Sequence, residues 1–199
     1  MAIENKSYKI ITIVLALIII IAAITIIYTS LPKNENETED TNGNQQENEV
    51  VLQMLYNDTY KNYTLDQLQE LESLTGSGGY INAINVTSGP YELTGVSIST
   101  LLEKFDILSE NYSINVKAVD NYSKTFNLSY INGDIPVFND TGEQIGTGGA
   151  IMILNYKENG EYLDDSAGPI RLAFIYENGY TSSKLWIKQV VSILVIDDF

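Results

Sequence analysis

The side chains able to do chemistry in this chain are carboxylates, lysines, tyrosines and hydroxyls, because the sequence contains no cysteine and no histidine. Without histidine there is no serine–histidine–aspartate arrangement, and the commonest general base near neutral pH is missing. Without cysteine there is no disulfide, no thiolate metal site and no cysteine nucleophile. Acid–base chemistry by paired carboxylates and cation sites built from oxygen ligands remain open to this composition.

The loop Asp134-Ile-Pro-Val-Phe-Asn-Asp140-Thr-Gly-Glu143 carries oxygen ligands of the kind that calcium prefers. Its acids do not follow the spacing of the helix–loop–helix calcium site, so we interpret it as an ordinary loop, with a bound cation as the alternative. Gly146-Thr-Gly-Gly149 is not followed by Lys-Ser/Thr or by a predicted helix. We therefore interpret it as a flexible approach to a strand rather than as a phosphate loop.

Arg171 is the only arginine of the chain. A guanidinium group makes paired hydrogen bonds to carboxylate or phosphate, so Arg171 is a candidate for binding an anion. The alternative, which we favour, is an internal ion pair with one of three acids, Asp164, Asp165 or Asp120.

Asp120 and Trp186 each have a structural interpretation beside a functional one. For Asp120 we favour a turn-forming role over that of a base, because an aspartate side chain readily bonds to the backbone two residues on. For Trp186 we favour packing over stacking on a ligand. Trp186 and Lys188 alternate along a predicted strand, which places both on one face.

The elements that must position these residues are mostly strands, which predicts one α+β, strand-dominated domain over residues 50–199. Thr64-Leu-Asp-Gln67 predicts a capped helix N-terminus, with the helix running to Leu74 and ending at the glycine-rich stretch 75–79. Ser97 or Ser99 is expected to cap a short helix that buries Phe105. Alternation and β-branched residues predict strands over 80–87, 112–119, 124–130, 150–156, 170–176 and 186–196, with tight turns at 120–123 and 157–160 and a loop at 132–149.

The N-terminal part predicts a membrane anchor. Ile10 to Ile27 is a run of 18 residues without a charge, in which Thr12 and Thr25 are the only polar side chains. Lys6 and Lys9 precede it. This length spans roughly 27 Å and the lysines favour a cytoplasmic N-terminus. We expect a cytoplasmic tail over 1–9, a transmembrane helix over 10–28, a disordered acidic stalk over 29–49 and an extracytoplasmic domain over 50–199. A cleaved signal peptide is the alternative.

The formal net charge of the chain is −15, and residues 50–199 contain 8 Lys/Arg against 19 Asp/Glu. An acidic surface without a basic stripe repels phosphate backbones, so we expect no nucleic-acid partner.

Asn-x-Ser/Thr sequons are frequent on the side predicted to be extracytoplasmic, which favours a glycosylated surface protein. The asparagines we predict as acceptors are Asn36, Asn57, Asn62, Asn85, Asn111, Asn127 and Asn139. For the sequon at Asn121 we favour a role in a turn.

Five short blocks stand in a particular order in the second half of the chain. They are Tyr91-Glu-Leu-Thr-Gly95-Val-Ser-Ile-Ser-Thr-Leu-Leu102, Asp120-Asn-Tyr-Ser123-Lys-Thr-Phe126, Asn159-Gly160-Glu-Tyr-Leu163, Gly168-Pro169-Ile-Arg171-Leu172 and Leu185-Trp186-Ile-Lys188. Together, over about residues 82–195, this set resembles the molybdopterin-binding domain of the sulfite oxidase family of oxidoreductases. The resemblance implies an α+β fold with layered β-sheets. It also implies ligand-binding residues within the blocks: Gly168, Pro169, Arg171, Asp120, Tyr122, Ser123 and Lys188.

The same resemblance implies a cysteine thiolate on the molybdenum, and this chain has no cysteine. A hydroxyl or carboxylate in its place changes both the electronics and the affinity of the metal. We therefore expect no catalytic residues, no metal and no cofactor, with molybdopterin as the alternative. The expected function is a membrane-anchored, non-catalytic module that binds a small ligand or an envelope protein. The alternatives are a membrane-tethered molybdenum or tungsten oxidoreductase and a structural cell-surface glycoprotein.

Overall fold

The fold is taken from a computed structural model of the chain, and it describes residues 49–107 and 109–197. These residues belong to one compact unit. The predicted tail, membrane helix and almost all of the stalk lie outside them. Within the described part of the chain, no helix has both the length and the apolar character needed to span a bilayer.

Strands dominate the described residues, as the sequence predicts. The helices are short: α1 (Leu65–Gln69), α2 (Ile98–Leu102), α3 (Leu128–Ile131) and a 3₁₀ turn (Ser183–Leu185). The strands are β1 (Val50–Tyr56), β2 (Thr59–Thr64), β3 (Ser73–Ile81), β4 (Thr87–Ser97), β5 (Tyr112–Ala118), β6 (Ser123–Asn127), β7 (Pro136–Phe138), β8 (Gln144–Thr147), β9 (Ile151–Glu158), β10 (Glu161–Tyr162), β11 (Arg171–Ile175), β12 (Tyr180–Ser182) and β13 (Val190–Asp197).

Two sheets organise these strands. The first has five strands in the order β2-β1-β13-β5-β6, with β1 and β13 parallel and the other pairs antiparallel. The second has eight strands: seven follow the order β10-β9-β4-β3-β12-β7-β8, and the eighth, β11, pairs with β9. The parallel pairing of β1 with β13 brings the two ends of the domain together in one sheet.

The main core contains side chains from both sheets. Along β1, buried and more exposed residues alternate, so Leu52 and Met54 point inward, which is the period of two expected for a strand with one covered face. They belong to the same buried cluster as Leu154 of β9 and Phe174 of β11. A smaller cluster around Ile153 lies on the opposite side of the eight-stranded sheet, and all five residues of β11 are buried.

The predictions for residues 71–87 were wrong in part. The helix ends at Gln69, and the glycine-rich stretch 75–79 lies within β3 instead of stopping a helix. Its glycines are required by close backbone approach: a Cβ on Gly78 would lie 2.3 Å from the carbonyl oxygen of Phe174. The predicted strand 80–87 is correct only at its ends, where Tyr80 and Ile81 lie in β3 and Thr87 opens β4. Residues 82–86 form the turn between these strands, in which the Asn82 side chain accepts the backbone N–H groups of Ile84 and Val86 at 3.0 Å.

Three further boundaries differ from the predictions. The strand predicted over 124–130 ends at Asn127, because helix α3 begins at Leu128. The stretch 132–149, expected to be loop, contains the antiparallel pair β7 and β8. The last strand begins at Val190 rather than at Trp186, and the segment before it pairs only through a bridge between Ile187 and Leu172. β7 also pairs with β12, which is distant in sequence and which no local pattern indicates.

The predicted turns and caps are confirmed. The chain reverses between β5 and β6 at residues 119–122, and Asn159 and Gly160 adopt positive φ angles of 53° and 82° between β9 and β10. Such a pair suits the tight two-residue hairpin that Asn-Gly predicts. The Ser97 side chain caps α2 by accepting the backbone N–H of Thr100 at 2.9 Å.

Replacing Thr64 by alanine should lower the free energy of unfolding by about 1 kcal/mol, the usual worth of an N-cap. The Thr64 hydroxyl accepts the backbone N–H of Gln67 at 3.2 Å, and the Gln67 side chain accepts that of Thr64 at 2.9 Å. Urea unfolding followed by the fluorescence of the single tryptophan would measure the loss. The Thr64→Ser variant keeps the hydroxyl, so its free energy of unfolding should stay close to that of the parent. If Thr64→Ala and Thr64→Ser lower the free energy of unfolding equally, the hydroxyl cap contributes nothing.

Candidate functional site

Two of the blocks singled out in the sequence meet at a small pocket of about 210 Å³. The turn between β5 and β6 supplies Asp120 and Tyr122, and the segment before β13 supplies Trp186 and Lys188. Trp186 and Lys188 share this pocket, as their spacing predicts, although they do not lie on a strand. The pocket therefore joins one carboxylate, one ammonium group and two aromatic side chains.

Asp120 has the turn role that we favoured. Its carboxylate accepts the backbone N–H of Tyr122 at 2.9 Å, which closes the turn. Ser123 opens β6 beside this turn, is exposed and is not among the residues that line the pocket.

A larger cleft of about 820 Å³ adjoins this pocket, and Gly168 and Pro169 line it. Its walls come from segments that are far apart in sequence: the start of β1, helix α1, the residue after β5, the stretch that follows β10 and the start of β13. The lining residues are Glu49, Val50, Val51, Leu65, Asp66, Gln69, Val119, Tyr162, Leu163, Asp164, Asp165, Gly168, Pro169, Gln189, Val190 and Val191.

Gln189 lies between the two depressions and lines both. Its side-chain amide donates to the backbone oxygen of Asp165 at 2.7 Å, and its backbone N–H donates to Ala167 at 2.9 Å. Its own carbonyl accepts the backbone N–H of Val119 at 3.0 Å. These three bonds connect the 164–169 turn, the end of β5 and the start of β13. They fix the relative positions of three segments that line the cleft.

Asp164 shapes the turn on one wall of the cleft. The hydroxyl of Ser166 donates to Asp164 Oδ1 at 2.7 Å and holds the pKa of Asp164 below its usual value. The backbone N–H groups of Ser166 and Ala167, at 3.0 and 3.1 Å, and the charge of Lys188 lower this pKa further. The ionised form of Asp164 is therefore favoured by folding.

The chain should lose part of its stability in acid through Asp164. Because the folded pKa lies below the unfolded value, this contribution is present above about pH 4 and disappears as the pH falls through the folded pKa. Asp164→Asn keeps the acceptor oxygen but does not titrate, so its unfolding midpoint should lie below that of the parent at about pH 6 and approach it at about pH 2.5. A gap between the two midpoints that stays constant over this range would contradict the assignment.

Arg171 is buried and lines neither depression. Its Nη2 forms an ion pair with Glu158, and its Nε donates to the side-chain oxygen of Asn155 at 3.1 Å. The guanidinium group also lies 5.0 Å from the ring of Trp186. The partner is thus Glu158, and none of the three aspartates that we considered. β9 supplies both Asn155 and Glu158, because it pairs directly with β11.

The Trp186 ring packs against its neighbours as expected. It lies 5.0 Å from the ring of Tyr80 in an edge-on arrangement, and its Nε1 donates to the hydroxyl of Thr181 at 2.8 Å. Every buried side-chain nitrogen or oxygen in residues 49–107 and 109–197 has a hydrogen-bond partner. The charged and polar groups behind the two depressions are therefore satisfied within the protein.

Of the seven residues predicted to bind a ligand, Gly168, Pro169, Asp120, Tyr122 and Lys188 line one of the two depressions, whereas Arg171 and Ser123 line neither. Their role in binding stays a prediction. Sequence reasoning missed the apolar residues Val50, Val119 and Val191 of the cleft walls. Tyr162 stands in one of the five blocks, but it was not among the residues predicted to bind a ligand. Each of these residues is unremarkable in its own segment. Only their exposure as large apolar side chains marks them, and exposure depends on the fold.

Most of the predicted glycosylation sites within the described residues are exposed. Asn57, Asn62, Asn85, Asn111 and Asn127 are exposed, whereas Asn139 is half-buried. The Asn139 side-chain oxygen accepts the backbone N–H groups of Thr141 and Glu143 at 3.1 and 2.9 Å. Asn36 lies outside the described residues. Glycosylation requires an accessible asparagine, and the five exposed residues meet this condition. Their glycosylation stays a prediction.

The stretch 134–143, considered for calcium, contains β7 and the turn that joins it to β8, and the Asn139 side chain organises this turn. Among residues 49–107 and 109–197, no group of three or more acidic side chains is arranged to hold a metal ion.

The sequence matches no protein-family model and no curated protein. Among solved structures, the fold is similar to the sulfane dehydrogenase SoxCD from Paracoccus pantotrophus, with a TM-score of 0.54 and 17% sequence identity. The match covers 74% of this chain and 38% of that chain, so this chain matches well under half of the enzyme subunit. At this identity the similarity establishes a relation in fold to an oxidoreductase and nothing about activity.

Proposed function

We propose that the chain is a membrane-anchored binding module, with its domain outside the cell and a ligand or partner seated in the large cleft. The observation that carries the proposal is the cleft itself. A volume of about 820 Å³ lies within the range of protein ligand sites, and the walls combine apolar side chains with a few polar ones. The anchor rests on the apolar run from Ile10 to Ile27 and on the lysines that precede it.

The residues present do not fit a molybdopterin cofactor. The chain offers no cysteine thiolate and no histidine for the metal. Its only arginine already pairs with Glu158 and Asn155, and no buried polar group among the described residues waits for a partner. Four carboxylates line the cleft, where they would repel the phosphate of such a cofactor. A domain with a fold similar to that of molybdopterin enzymes, but functioning without the cofactor, accounts for both the similarity in fold and the missing ligands.

The rival function is a membrane-tethered oxidoreductase, which the fold similarity to a sulfane dehydrogenase favours. Elemental mass spectrometry together with pterin fluorescence, on chain purified from its own membrane, separates the two. We expect molybdenum, tungsten and pterin far below one per chain. Stoichiometric metal with pterin would replace our proposal by a redox enzyme with an unusual ligand set.

Binding at the cleft can be tested without knowing the ligand. Amide NMR spectra of the full chain in neutral detergent would be recorded with a panel of cationic, neutral and anionic compounds, with and without apolar groups. We expect at least one compound to shift the amides of Leu163, Asp165 and Val191 while those of β8 stay in place. Absence of any shift at the cleft across the panel would reject the binding function.

A further inference from the structure

We propose that the large cleft takes a peptide segment that alternates apolar with lysine or arginine side chains, because its walls are apolar and its charged lining is entirely acidic. The inference rests on the proposed function, since it names the class of partner for the same cleft. It commits to a peptide of a partner protein, and the experiment below separates this from other occupants.

The apolar part of the argument comes from exposure. Val50, Val119, Tyr162 and Val191 are 51%, 58%, 55% and 37% exposed, and all four line this one cleft. They come from four separate segments, so no single strand pattern explains why they lie together. Clustered exposed apolar side chains on a soluble domain mark an interaction site more often than isolated ones do.

The charge of the lining selects the partner. Glu49, Asp66, Asp164 and Asp165 contribute carboxylates, and no lysine or arginine is among the lining residues. Two cations lie close by: Lys157 Nζ is 4.6 Å from the centre of the Tyr162 ring, and Lys188 lines the adjoining pocket. They offset part of the negative charge, but the lining itself stays acidic. Charge complementarity of this kind governs partner choice and the rate of encounter.

The make-up of the cleft favours a segment with several side chains over a compact molecule. Its apolar residues come from the starts of β1 and β13, the residue after β5 and the hairpin after β9, and its carboxylates come from the residue before β1, from α1 and from the stretch after β10. The Tyr162 hydroxyl donates to Gln69 Oε1 at 3.1 Å and ties β10 to α1. Two walls are thus held in place before a partner arrives, which lowers the ordering cost of binding.

The test is fluorescence anisotropy of a dye-labelled Lys-Val-Lys-Val-Lys-Val peptide, titrated at low salt with the full chain in neutral detergent and, separately, with empty micelles. Two probes serve as controls: one with glutamate in place of lysine and one with serine in place of valine. The variant is Asp66→Asn with Asp165→Asn. Its matched control, Asp106→Asn with Asp140→Asn, removes two exposed acids outside the cleft.

We expect saturable binding of the lysine–valine peptide and much weaker binding of both altered peptides. Removing Asp66 and Asp165 should weaken binding roughly tenfold, and removing the control pair should have little effect, because charges act strongly only at short range in solvent. Equal binding of the glutamate peptide, equal binding by the cleft variant, or no binding beyond empty micelles would overturn the inference. If the lysine–valine peptide fails while neutral or anionic compounds still shift the cleft amides, the class of partner is wrong and the binding function stands.

Discussion

Gly133→Ala should destabilise the chain by about 3 kcal/mol or more, combining the cost of a left-handed residue with that of an overpacked core. Gly133 follows helix α3 with φ of 84°, in the left-handed region that closes a Schellman motif. The N–H of Asp134 donates to the carbonyl of Ser129 at 2.9 Å and that of Gly133 to Tyr130 at 3.1 Å. A Cβ on Gly133 would lie 1.9 Å from the backbone oxygen of Ala150, which cannot move without shifting the chain at the start of β9.

Gly160→Ala is the matched control for this prediction. Gly160 has nearly the same φ, 82°, but a Cβ there would have no atom within 4 Å. Its loss should be limited to about 1 kcal/mol, the conformational cost alone. Urea unfolding of both variants, followed by tryptophan fluorescence, would give the two values. Similar losses at both positions would show that the contact with Ala150 does not matter and that conformation accounts for the whole effect.

Glu158→Ala should cost about 3 kcal/mol, because it leaves the buried guanidinium group of Arg171 without its counter-charge. The Arg171 side chain is 7% exposed and that of Glu158 26%, so water can replace the lost carboxylate only in part. Trp186 is the only tryptophan, and the guanidinium group lies 5.0 Å from its ring. Its fluorescence therefore reports directly on this cluster, and we expect the emission of the folded variant to differ from that of the parent.

Glu161→Ala provides the control, since Glu161 is an exposed acid that pairs across the same hairpin with Glu158. It should stay within about 0.5 kcal/mol of the parent, as surface substitutions usually do. If Glu158→Ala is as mild as Glu161→Ala, the ion pair is not a structural element. The remaining contacts of Arg171, with Asn155 and Trp186, would then suffice to hold its guanidinium group.

Some residues of the candidate site could be predicted from the sequence. The order of the blocks singled out Asp120, Tyr122, Lys188, Gly168 and Pro169, and all of them line one of the two adjoining depressions. The turn role of Asp120 followed from local chemistry, because an aspartate bonds to backbone two residues away in any fold. The partner of Arg171 did not follow, because it depends on the pairing of β11 with β9 and not on any neighbour in sequence.

By itself, the sequence determined what short-range physics decides. The caps at Thr64 and Ser97 and the hairpin at Asn159 follow from hydrogen bonds and backbone preferences that act over a few residues. The absence of cysteine and histidine likewise restricted the chemistry before any fold was known.

Only the tertiary structure decided the rest. The glycine-rich stretch around Gly78 became a strand because the backbone of Phe174 passes close to it, a contact that no local pattern contains. The large cleft exists because Val50, Val119, Tyr162 and Val191, from four distant segments, are brought together by the pairing of β1, β5 and β13 and by the hairpin after β9. Contacts across such sequence separations depend on which strands pair, and strand pairing is a property of the whole chain.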